Sequence, residues 1–281
     1  MIFVRINGRL GNQMFQYAFI FSKAKSCKTF FLLDIVNFPL ILHKYFRIPF
    51  FITFINRVIN HKLFKWIKNL LLKQVKKKII HSNTALAEVI TAIKDNMVYY
   101  EGYFQSVLYF FDFQKDIKRH FRIKKTYTKQ FEKKYKSIFA NHKVLTIHYR
   151  GGDYKSYGSD DLGGINMTLP WIYYENCLKQ IQNIHEYKIL VISDDLAGIQ
   201  SHFKGYSNVS FEQNTEVIDL LLLMNSDALV ISNSSFAWWG AYLNQKNALV
   251  FAPKYWLGFK IGKYYPQDIN KLLDWYFVDV H

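Results

Sequence analysis

Cysteine is scarce in this chain of 281 residues: only Cys27 and Cys177 are present, and no CxxC spacing occurs. Small disulfide-dependent domains carry many more cysteines, and Cys-rich zinc sites need closely spaced pairs. The nine histidines form no HExxH motif or other paired spacing, so no metal site is predicted. The scarcity of cysteine favours a reducing compartment.

Long apolar runs are also missing. Charged residues and prolines interrupt the most apolar stretch, residues 30–55, whereas a membrane-spanning helix needs about 20 mostly apolar residues. The first residues lack the basic-then-apolar order of a signal peptide. We therefore expect a cytoplasmic protein.

Acidic residues are absent between Asp34 and Glu88, an interval that carries ten lysines and arginines. Over the whole chain 37 Lys and Arg outnumber 21 Asp and Glu, so the formal net charge is +16. Apolar side chains recur every three or four positions from residue 62, with lysines between them, which predicts a basic amphipathic helix over residues 62–78. Three interpretations stay open for it: a solvated surface, a contact with anionic lipids at the inner membrane face, and nucleic-acid binding, for which no recognition module is present.

Hydrophobic residues make up 50% of the chain, and their spacing alternates between strand and helix patterns. Residues 2–6 and 29–35 are predicted strands. Between them lie a glycine-bearing loop and a helix over residues 12–25, with Asn12 as its N-cap. This order opens a doubly wound α/β domain.

The same order returns after a basic helical connector over residues 115–136. The later predicted strands and helices are strands 144–149, 188–192, 228–231 and 248–251, and helices 171–182 and 217–224. Two domains are therefore expected: residues 1–140, with a basic helical insertion at about 40–98, and residues 141–281.

Polar side chains follow three of the later strands: His148, Arg150 and Asp153, then Asp194 and Asp195, then Ser234 and Ser235. The carboxyl ends of parallel strands form the ligand-binding edge of an α/β sheet. The helices that follow present N–H groups that favour phosphate. A sugar nucleotide is the ligand class that suits this arrangement.

The segment around Arg150 is the most informative of these. Period-two alternation puts His148 and Arg150 on one face of the strand, and a guanidinium can grip a diphosphate. Gly151 and Gly152 are expected to leave space for a bulky anionic group. Asp153 has three open roles: it orients Arg150, accepts a proton from an acceptor hydroxyl, or caps a helix.

The remaining signals each have two interpretations. Phe236 can stack on a purine, whereas Trp238 and Trp239 are interpreted as core packing. Asp194 and Asp195 either bind a ribose or guanine edge or cap a helix. The loop containing Gly8, Gly11, Asn12 and Gln13 either approaches a ligand or forms a tight structural turn.

In this order, the segments resemble the bacterial α-1,2-fucosyltransferases, glycosyltransferase family 11. The matching segments are GRLGNQMFQYA at residues 8–18, IHYRGGDY at 147–154, TLPWIYYENCL at 168–178, VISDD at 191–195, DLLLLMNSDALVISNSSFAWWGAYLN at 219–244 and APKYW at 252–256. The resemblance covers nearly the whole chain apart from about residues 38–98.

The resemblance implies a GT-B architecture, in which two Rossmann-like domains face a cleft. It also implies metal-independent, inverting transfer of L-fucose from GDP-fucose to O2 of a terminal galactose. The implied catalytic residues are Arg150, at the pyrophosphate, together with Asp153 and Asn12. The implied donor-binding residues are Gly11, Gln13, His148, Asp194, Asn233, Ser234, Ser235 and Phe236.

One departure from the family concerns the pyrophosphate. Many members carry a second arginine directly after the first, where this chain has Gly151. Either one ligand is missing, or Arg5 or Arg9 compensates. The catalytic base is also open between Asp153, Asp160, Asp161 and no dedicated carboxylate.

Two alternative functions remain at this point. One is the transfer of fucose, or of another 6-deoxyhexose from a GDP-sugar, with different regiochemistry. The other is a non-catalytic basic protein that binds membranes or nucleic acid. Neither the acceptor nor the oligomeric state follows from the residues.

Overall fold

The chain folds into two compact units. The computed structural model describes residues 1–35, 38–81 and 97–281. The first unit comprises Met1–Lys124 and Pro266–Leu272, and the second comprises Lys125–Tyr265 and Leu273–His281. The division differs from the predicted boundary at 140/141 in two respects: the helix after Lys124 belongs to the second unit, and a short late segment returns to the first.

The first unit contains a parallel sheet. Four described strands, β1 (Ile2–Ile6), β2 (Phe31–Ile35), β3 (Lys76–Ile79) and β4 (Val98–Glu101), are ordered β2-β1-β4-β3. Helix α1 (Leu10–Ser26) connects β1 to β2, and most of its residues are buried. It begins two residues before Asn12, and Arg9 is its N-cap residue without a side-chain hydrogen bond, so the prediction that Asn12 caps this helix is wrong.

Short helices follow β2. They are α2 (Leu42–Tyr45), α3 (Phe50–Ile59), the 3-10 turn Lys62–Phe64 and α4 (Lys65–Leu72), and later the 3-10 segment Val107–Phe113 and α5 (Gln114–His120). The prediction of one helix over residues 62–78 is wrong, because α4 ends at Leu72 and Lys76–Ile79 pairs with β4 as a strand. Residues 36–37 and 82–96 of the predicted insertion at 40–98 and its surroundings lie outside the described residues.

The second unit is built on a six-stranded parallel sheet. Its strands are β5 (Lys143–Tyr149), β8 (Tyr187–Ser193), β9 (Val209–Glu212), β10 (Ala228–Val230), β11 (Leu249–Pro253) and β12 (Tyr276–Val278), in the order β12-β11-β10-β5-β8-β9. Two-residue strands β6 (Gly158–Ser159) and β7 (Gly164–Ile165) form a small antiparallel pair. The strands predicted from sequence in this unit are confirmed to within one or two residues at each end.

The helices of the second unit are α6 (Lys125–Asn141), α7 (Trp171–Lys179), α8 (Ala197–Gln200), α9 (Glu216–Asn225) and α10 (Ser235–Tyr242). Helices α9 and α10 approach closely, since a Cβ added at Gly240 would lie 2.4 Å from the Cβ of Leu223. Trp238 and Trp239 on α10 are fully buried. The interpretation of these tryptophans as core packing is confirmed.

Candidate active site

Three neighbouring strands of the second unit end in polar side chains. Strand β5 lies between β10 and β8 in the sheet, so the residues that follow the three strands meet at one edge, as expected for a parallel sheet. Contacts across this edge join Arg150 to Asp194 and His148 to Ser232. The sequence-based expectation that these segments come together is confirmed by these contacts.

Arg150, directly after β5, has a fixed guanidinium. Its Nη2 donates to Asp153 Oδ1 at 2.6 Å, and its Nη1 lies 2.9 Å from Asp194 Oδ2. The guanidinium carbon is 5.2 Å from the ring centroid of Tyr154, close enough for a cation–π contact. Nε is buried without a hydrogen-bond partner. The side chain therefore keeps its orientation before any ligand arrives, and Asp153 orients it, which was one of its three open roles.

Asp194 also holds the loop that carries Arg150. Its Oδ1 accepts a hydrogen bond from the Gly151 backbone N–H at 3.0 Å, while Oδ2 faces the guanidinium. A Cβ added at Gly152 would lie 2.3 Å from Asp194 Oδ2. One carboxylate thus fixes both the backbone and the side chain of this segment.

The two glycines have a different role from the expected one. A Cβ added at Gly151 would lie 2.5 Å from Asp195 Oδ2. The space next to the glycines is therefore taken by the carboxylates of Asp194 and Asp195, and the expectation that it is open for an anionic ligand is wrong. A second arginine at position 151 would require the Asp195 carboxylate to move.

Asp195 contacts its neighbours in the chain and Lys155. Its Oδ1 accepts a hydrogen bond from Gly198 N at 3.3 Å at the start of α8, and its Oδ2 lies 2.6 Å from Lys155 Nζ. Its own N–H donates to Ser193 Oγ at 2.8 Å. Asp195 thus bonds the backbone at the start of α8, although Leu196 is the N-cap residue of that helix, whereas Asp194 is engaged with Arg150.

His148 is buried at the end of β5 with 6% of its surface exposed. Its Nδ1 lies 2.9 Å from Ser232 Oγ, and its ring centroid is 5.8 Å from that of Phe236. Burial, and then the positive charge of Arg150, lower the pKa of His148 to about 3. The imidazole is therefore neutral at physiological pH.

The segment after β10 leads directly into α10. Asn233 is buried; its Nδ2 donates to Met167 O at 2.9 Å, and its Oδ1 has no hydrogen-bond partner. Ser234 is the N-cap residue of α10 without a side-chain capping bond, and Ser235 begins the helix. The first-turn N–H groups of a helix lack intrahelical acceptors, so this end of α10 favours an anion.

The loop after β1, in the first unit, is an ordered turn. Gln13 is almost fully buried; its Nε2 donates to the carbonyl oxygens of Gly8 and Pro39 at 3.1 and 3.0 Å, and its Oε1 accepts from Ile41 N at 3.0 Å. Gly8 has a φ of +80°, a conformation that favours glycine. These contacts match the structural-turn interpretation, and a donor-binding role for Gln13 stays a prediction.

The other residues proposed in the first unit differ in their surroundings. Gly11 is buried in α1, and Asn12 Oδ1 accepts a hydrogen bond from Gln105 Nε2 at 2.9 Å. Arg5 Nη1 lies 2.5 Å from Glu101 Oε1 within the sheet. Arg5 is thus already paired, which argues against the expectation that it replaces a missing pyrophosphate ligand. Arg9, the other residue named for this role, is exposed, and its role stays a prediction.

The candidate bases are solvent-accessible. Asp160 and Asp161 lie in the 3-10 turn Asp160–Leu162 between β6 and β7, and both are exposed. The Asp153 side chain is 49% exposed although it is bonded to Arg150. The choice between these carboxylates stays open.

Two site residues were missed by the sequence analysis. Tyr154 lies under the guanidinium of Arg150 and its hydroxyl donates to Asn233 O at 3.1 Å, so it links the segments after β5 and β10. Ser232 is the partner of His148. Their positions within the IHYRGGDY and SNSSF segments were the available signal, but a tertiary contact was needed to show their partners.

Metal sites and membrane spans were searched over the residues that the structure describes. Within them, no three His, Cys, Asp or Glu side chains are grouped to hold a metal ion. In the same part of the chain, no helix combines the length and the apolar character needed to cross a membrane.

The chain belongs to glycosyl transferase family 11, whose model matches residues 1–279. It is 27% identical over 282 aligned residues to an α-1,2-colitosyltransferase from Escherichia coli, covering 91% of this chain and 92% of that protein. It is also 31% identical over 127 residues to the Escherichia coli O-antigen biosynthesis glycosyltransferase WbnK. That match spans less than half of either chain, 43% of this one and 41% of WbnK.

The fold agrees with this assignment. The structure of NodZ, an α-1,6-fucosyltransferase soaked with GDP-fucose, superposes with a TM-score of 0.55 at 13% identity and covers 86% of this chain and 92% of NodZ. The predicted fold class, an α/β protein of the GT-B type, and the predicted family are confirmed. The protein is a glycosyltransferase.

Proposed function

We propose that the protein is an inverting transferase that moves L-fucose from GDP-fucose to O2 of a terminal galactose on an oligosaccharide or glycolipid. The family assignment and the α-1,2 linkage in the name of the colitosyltransferase relative support the reaction type. The observation that carries the proposal is Arg150, a preoriented cation at the carboxyl edge of strand β5, whose neighbour Tyr154 bonds the Asn233 carbonyl just before α10.

The proposed step is a single displacement. The galactose O2 forms a bond to C1 of the donor sugar while the bond from C1 to the β-phosphate oxygen breaks, and the electron pair leaves on GDP. Arg150 stabilises the negative charge that grows on the phosphate. The hydroxyl proton goes to Asp153, Asp160 or Asp161, or to solvent if leaving-group assistance suffices.

The proposed contacts to the donor phosphates and base lie at the same edge of the sheet. In the proposal, Ser234, Ser235 and the α10 N-terminus contact the phosphates, and the unpartnered Oδ1 of Asn233 accepts a hydrogen bond from the donor. Phe236 lies near the base. Asp194 acts through Arg150 instead of contacting the ribose or guanine. Gly11, Asn12 and Gln13 keep the roles that the family resemblance implies.

A second candidate function concerns the donor sugar. The relative that aligns over nearly the whole chain is named a colitosyltransferase, and this favours GDP-colitose as an alternative donor with the same α-1,2 linkage. Both candidates use a GDP-sugar and a hydroxyl acceptor, so they differ only in the pocket for the transferred sugar.

A donor and acceptor comparison tests these proposals. Purified protein is incubated with GDP-fucose, GDP-colitose or GDP-mannose and with lactose, and GDP release and product linkage by NMR are measured. A lactose analogue that lacks the 2′-hydroxyl is the matched control, because it removes only the proposed nucleophile. We expect release with GDP-fucose and lactose and none above hydrolysis with the deoxy analogue.

The outcomes separate the alternatives. Faster turnover of GDP-colitose would replace fucose as the donor, and turnover of the deoxy analogue would overturn the linkage. No turnover with any GDP-sugar would favour a non-catalytic role. We also propose that the reaction needs no metal, because Arg150 carries the leaving-group charge; activity that is lost in EDTA and restored by Mg²⁺ or Mn²⁺ would contradict this.

A further inference from the structure

Helix α3 turns its polar side towards the sheet. Asn56 is 1% exposed; its Oδ1 accepts from Leu33 N at 2.6 Å and its Nδ2 donates to Ile52 O at 2.8 Å. Asn60 Oδ1 accepts from Ile35 N at 3.3 Å, and its Nδ2 donates to Leu33 O at 2.8 Å. Strand β2 lies at one edge of the described sheet, so the two asparagines satisfy backbone groups that an edge strand leaves open.

Helix α4 also directs a polar side chain towards the sheet. Lys68 points inwards: its Nζ donates to Asp34 Oδ1 at 2.7 Å and to Asn60 Oδ1 at 3.2 Å, and its side chain is only 14% exposed. A lysine and two asparagines thus occupy positions that apolar residues fill in an ordinary surface helix.

Seven large apolar residues of this region are exposed to solvent. We call the following set the outer face, with exposed fractions in parentheses: Phe50 (80%), Phe51 (59%), Phe54 (52%), Leu63 (72%), Phe64 (39%), Trp66 (66%) and Leu70 (53%). Single exposed apolar residues are normal, but a group of large ones on two adjoining helices marks an interaction surface.

Positive charge accompanies the outer face. Arg57 on α3, Lys62 before α4 and Lys73 after α4 are all exposed, and the chain has no acidic residue between Asp34 and Glu88. Large apolar side chains among cations fit the boundary between acyl chains and anionic headgroups, where each basic residue adds about 1 kcal/mol. We propose that the outer face docks on an anionic lipid surface.

Charge also decides against the simplest alternative occupant, a second copy of the chain. A two-fold contact would place the same patch against itself, and it would gather Arg57, Lys62 and Lys73 of both copies in one interface. An anionic bilayer instead compensates these charges. The proposal takes up the lipid-contact interpretation of residues 62–78, but the surface is made of α3 and α4, and Lys76–Ile79 lies in the sheet.

Vesicle flotation tests the proposal with the full chain. Wild-type protein is mixed with vesicles of phosphatidylcholine alone or of phosphatidylcholine with phosphatidylglycerol, at low and high salt. We expect binding to the anionic vesicles, weaker binding at high salt, and little binding to the neutral ones. Equal binding to both vesicle types would overturn the proposal.

Matched variants identify the surface. Phe51→Ser with Trp66→Ser removes two outer-face anchors, and Phe111→Ser with Leu272→Ser removes two residues that are also exposed, at 48% and 62%, elsewhere in the same unit. We expect the first pair to lower the partition coefficient at least about tenfold and the second pair to leave it near wild type. Equal losses would overturn the assignment of the surface.

A charge-matched pair completes the test. The triple change Arg57→Gln, Lys62→Gln and Lys73→Gln is compared with Lys129→Gln, Lys133→Gln and Lys136→Gln on α6, so both variants lose the same charge. Binding lost only in the first variant supports the proposal, and equal loss would show a response to net charge alone. Thermal unfolding checks that all variants fold, and a vesicle-free dimer that Trp66→Ser dissociates would show a second copy as the occupant.

Discussion

Arg150 enters the site already paired with two carboxylates, Asp153 and Asp194. Such pairing orients the planar fork of donors without saturating it, because the two contacts engage two of its five N–H groups. A preorganised cation stabilises a developing charge at little cost in reorganisation. Single substitutions of Arg150 therefore test the proposed chemistry directly.

Replacing Arg150 should abolish nearly all transfer. Loss of one such donor typically lowers kcat about a hundredfold to a thousandfold, and Arg150→Lys should recover little because an ammonium lacks the planar fork. The melting temperature should stay near wild type, since water can solvate the partly exposed carboxylates of Asp153 and Asp194. GDP-release kinetics of Arg150→Ala and Arg150→Lys provide the measurement.

Arg119→Ala is the control for this experiment. Arg119 is also paired with an aspartate three residues away, Asp116, but it lies on α5 with 65% of its side chain exposed. It should retain wild-type activity. Arg150→Ala activity above about a tenth of wild type would be far outside the expected range, and the mapping of this segment would then be wrong.

Asp194 should act as a positioning residue. Asp194→Asn keeps an oxygen for the Gly151 N–H but loses the charge that faces Arg150, so we expect kcat to fall about tenfold, as for a weakened charge-assisted contact. Because the effect passes through Arg150, the double variant with Arg150→Ala should be no slower than Arg150→Ala alone. A further loss in the double variant would instead favour direct contact with the ribose or guanine.

Burial of His148 predicts a pH dependence of stability. Its folded pKa is about 3 and its unfolded pKa is about 6.5. Well above pH 6.5 the imidazole is neutral in both the folded and the unfolded state, so the free energy of unfolding does not change. As the pH falls below 6.5, only the unfolded state binds the proton. The free energy of unfolding should therefore drop by about 2 kcal/mol between pH 7 and pH 5 on account of this residue.

Urea unfolding at the two pH values measures that loss. It should be about 2 kcal/mol smaller in His148→Gln than in wild type, because the variant has no imidazole to protonate. His185→Gln, at an exposed position, is the control. If the free energy of unfolding falls equally between pH 7 and pH 5 in His148→Gln and in wild type, His148 is not the source of this pH dependence.

Among the elements, helix α6 explains why the units divide before residue 125. Tyr135 is 1% exposed, and its hydroxyl donates to Glu212 Oε2 at 2.5 Å and contacts Asn214. Lys134 Nζ lies 3.0 Å from the same Glu212 oxygen. The exposed, charged character of α6 suggested a free connector, but these contacts attach it to the second unit.

Removing the Tyr135 hydroxyl should destabilise the second unit. Tyr135→Phe leaves the Glu212 carboxylate and the Asn214 amide without this partner, and such a loss costs about 1–3 kcal/mol. Chemical denaturation followed by tryptophan fluorescence would report it, and Tyr276→Phe, at a 56% exposed position, is the control. If Tyr135→Phe and Tyr276→Phe are equally stable, the Tyr135 hydroxyl does not contribute to the free energy of unfolding.

Four strands of the six-stranded sheet were predicted, whereas β9 and β12 of that sheet and β3 of the first unit were not. Strand β5 is a β-branched and apolar run with buried residues on both faces, and this pattern identifies a central parallel strand from composition alone. Strand β3, with the sequence KKKI, has no such pattern. It becomes a strand through its pairing with β4, a tertiary effect that overrides local propensity.

The same distinction holds for the site. The position of Arg150 after β5 follows from strand periodicity and the rule for parallel sheets. The occupation of the space beside Gly151 and Gly152 by Asp194 and Asp195 does not, because it depends on the loop path after β8. Likewise, the GxxGNQ segment allowed either a ligand loop or a turn, and only the three backbone contacts of Gln13 show the turn.

At the scale of the whole molecule, one short segment was beyond prediction. Pro266–Leu272 belongs to the first unit although the chain on both sides belongs to the second. Ile269 is fully buried, and the Asp268 carbonyl accepts a hydrogen bond from Ser106 Oγ at 2.9 Å. The seven residues carry no sequence signature for this placement, since it depends on partners more than a hundred positions earlier.

That segment gives the protein the topology of a split-protein pair. A polypeptide cut between Lys124 and Lys125 yields an N-terminal fragment whose missing piece, residues 266–272, travels with the C-terminal fragment. The two fragments, produced separately, should complement each other and co-elute in gel filtration. Ile269→Asp should abolish their association because it buries a charge without a partner. Lys271→Asp, at an exposed position, is the control and should preserve the association. If the fragments still associate with Ile269→Asp, another surface joins them.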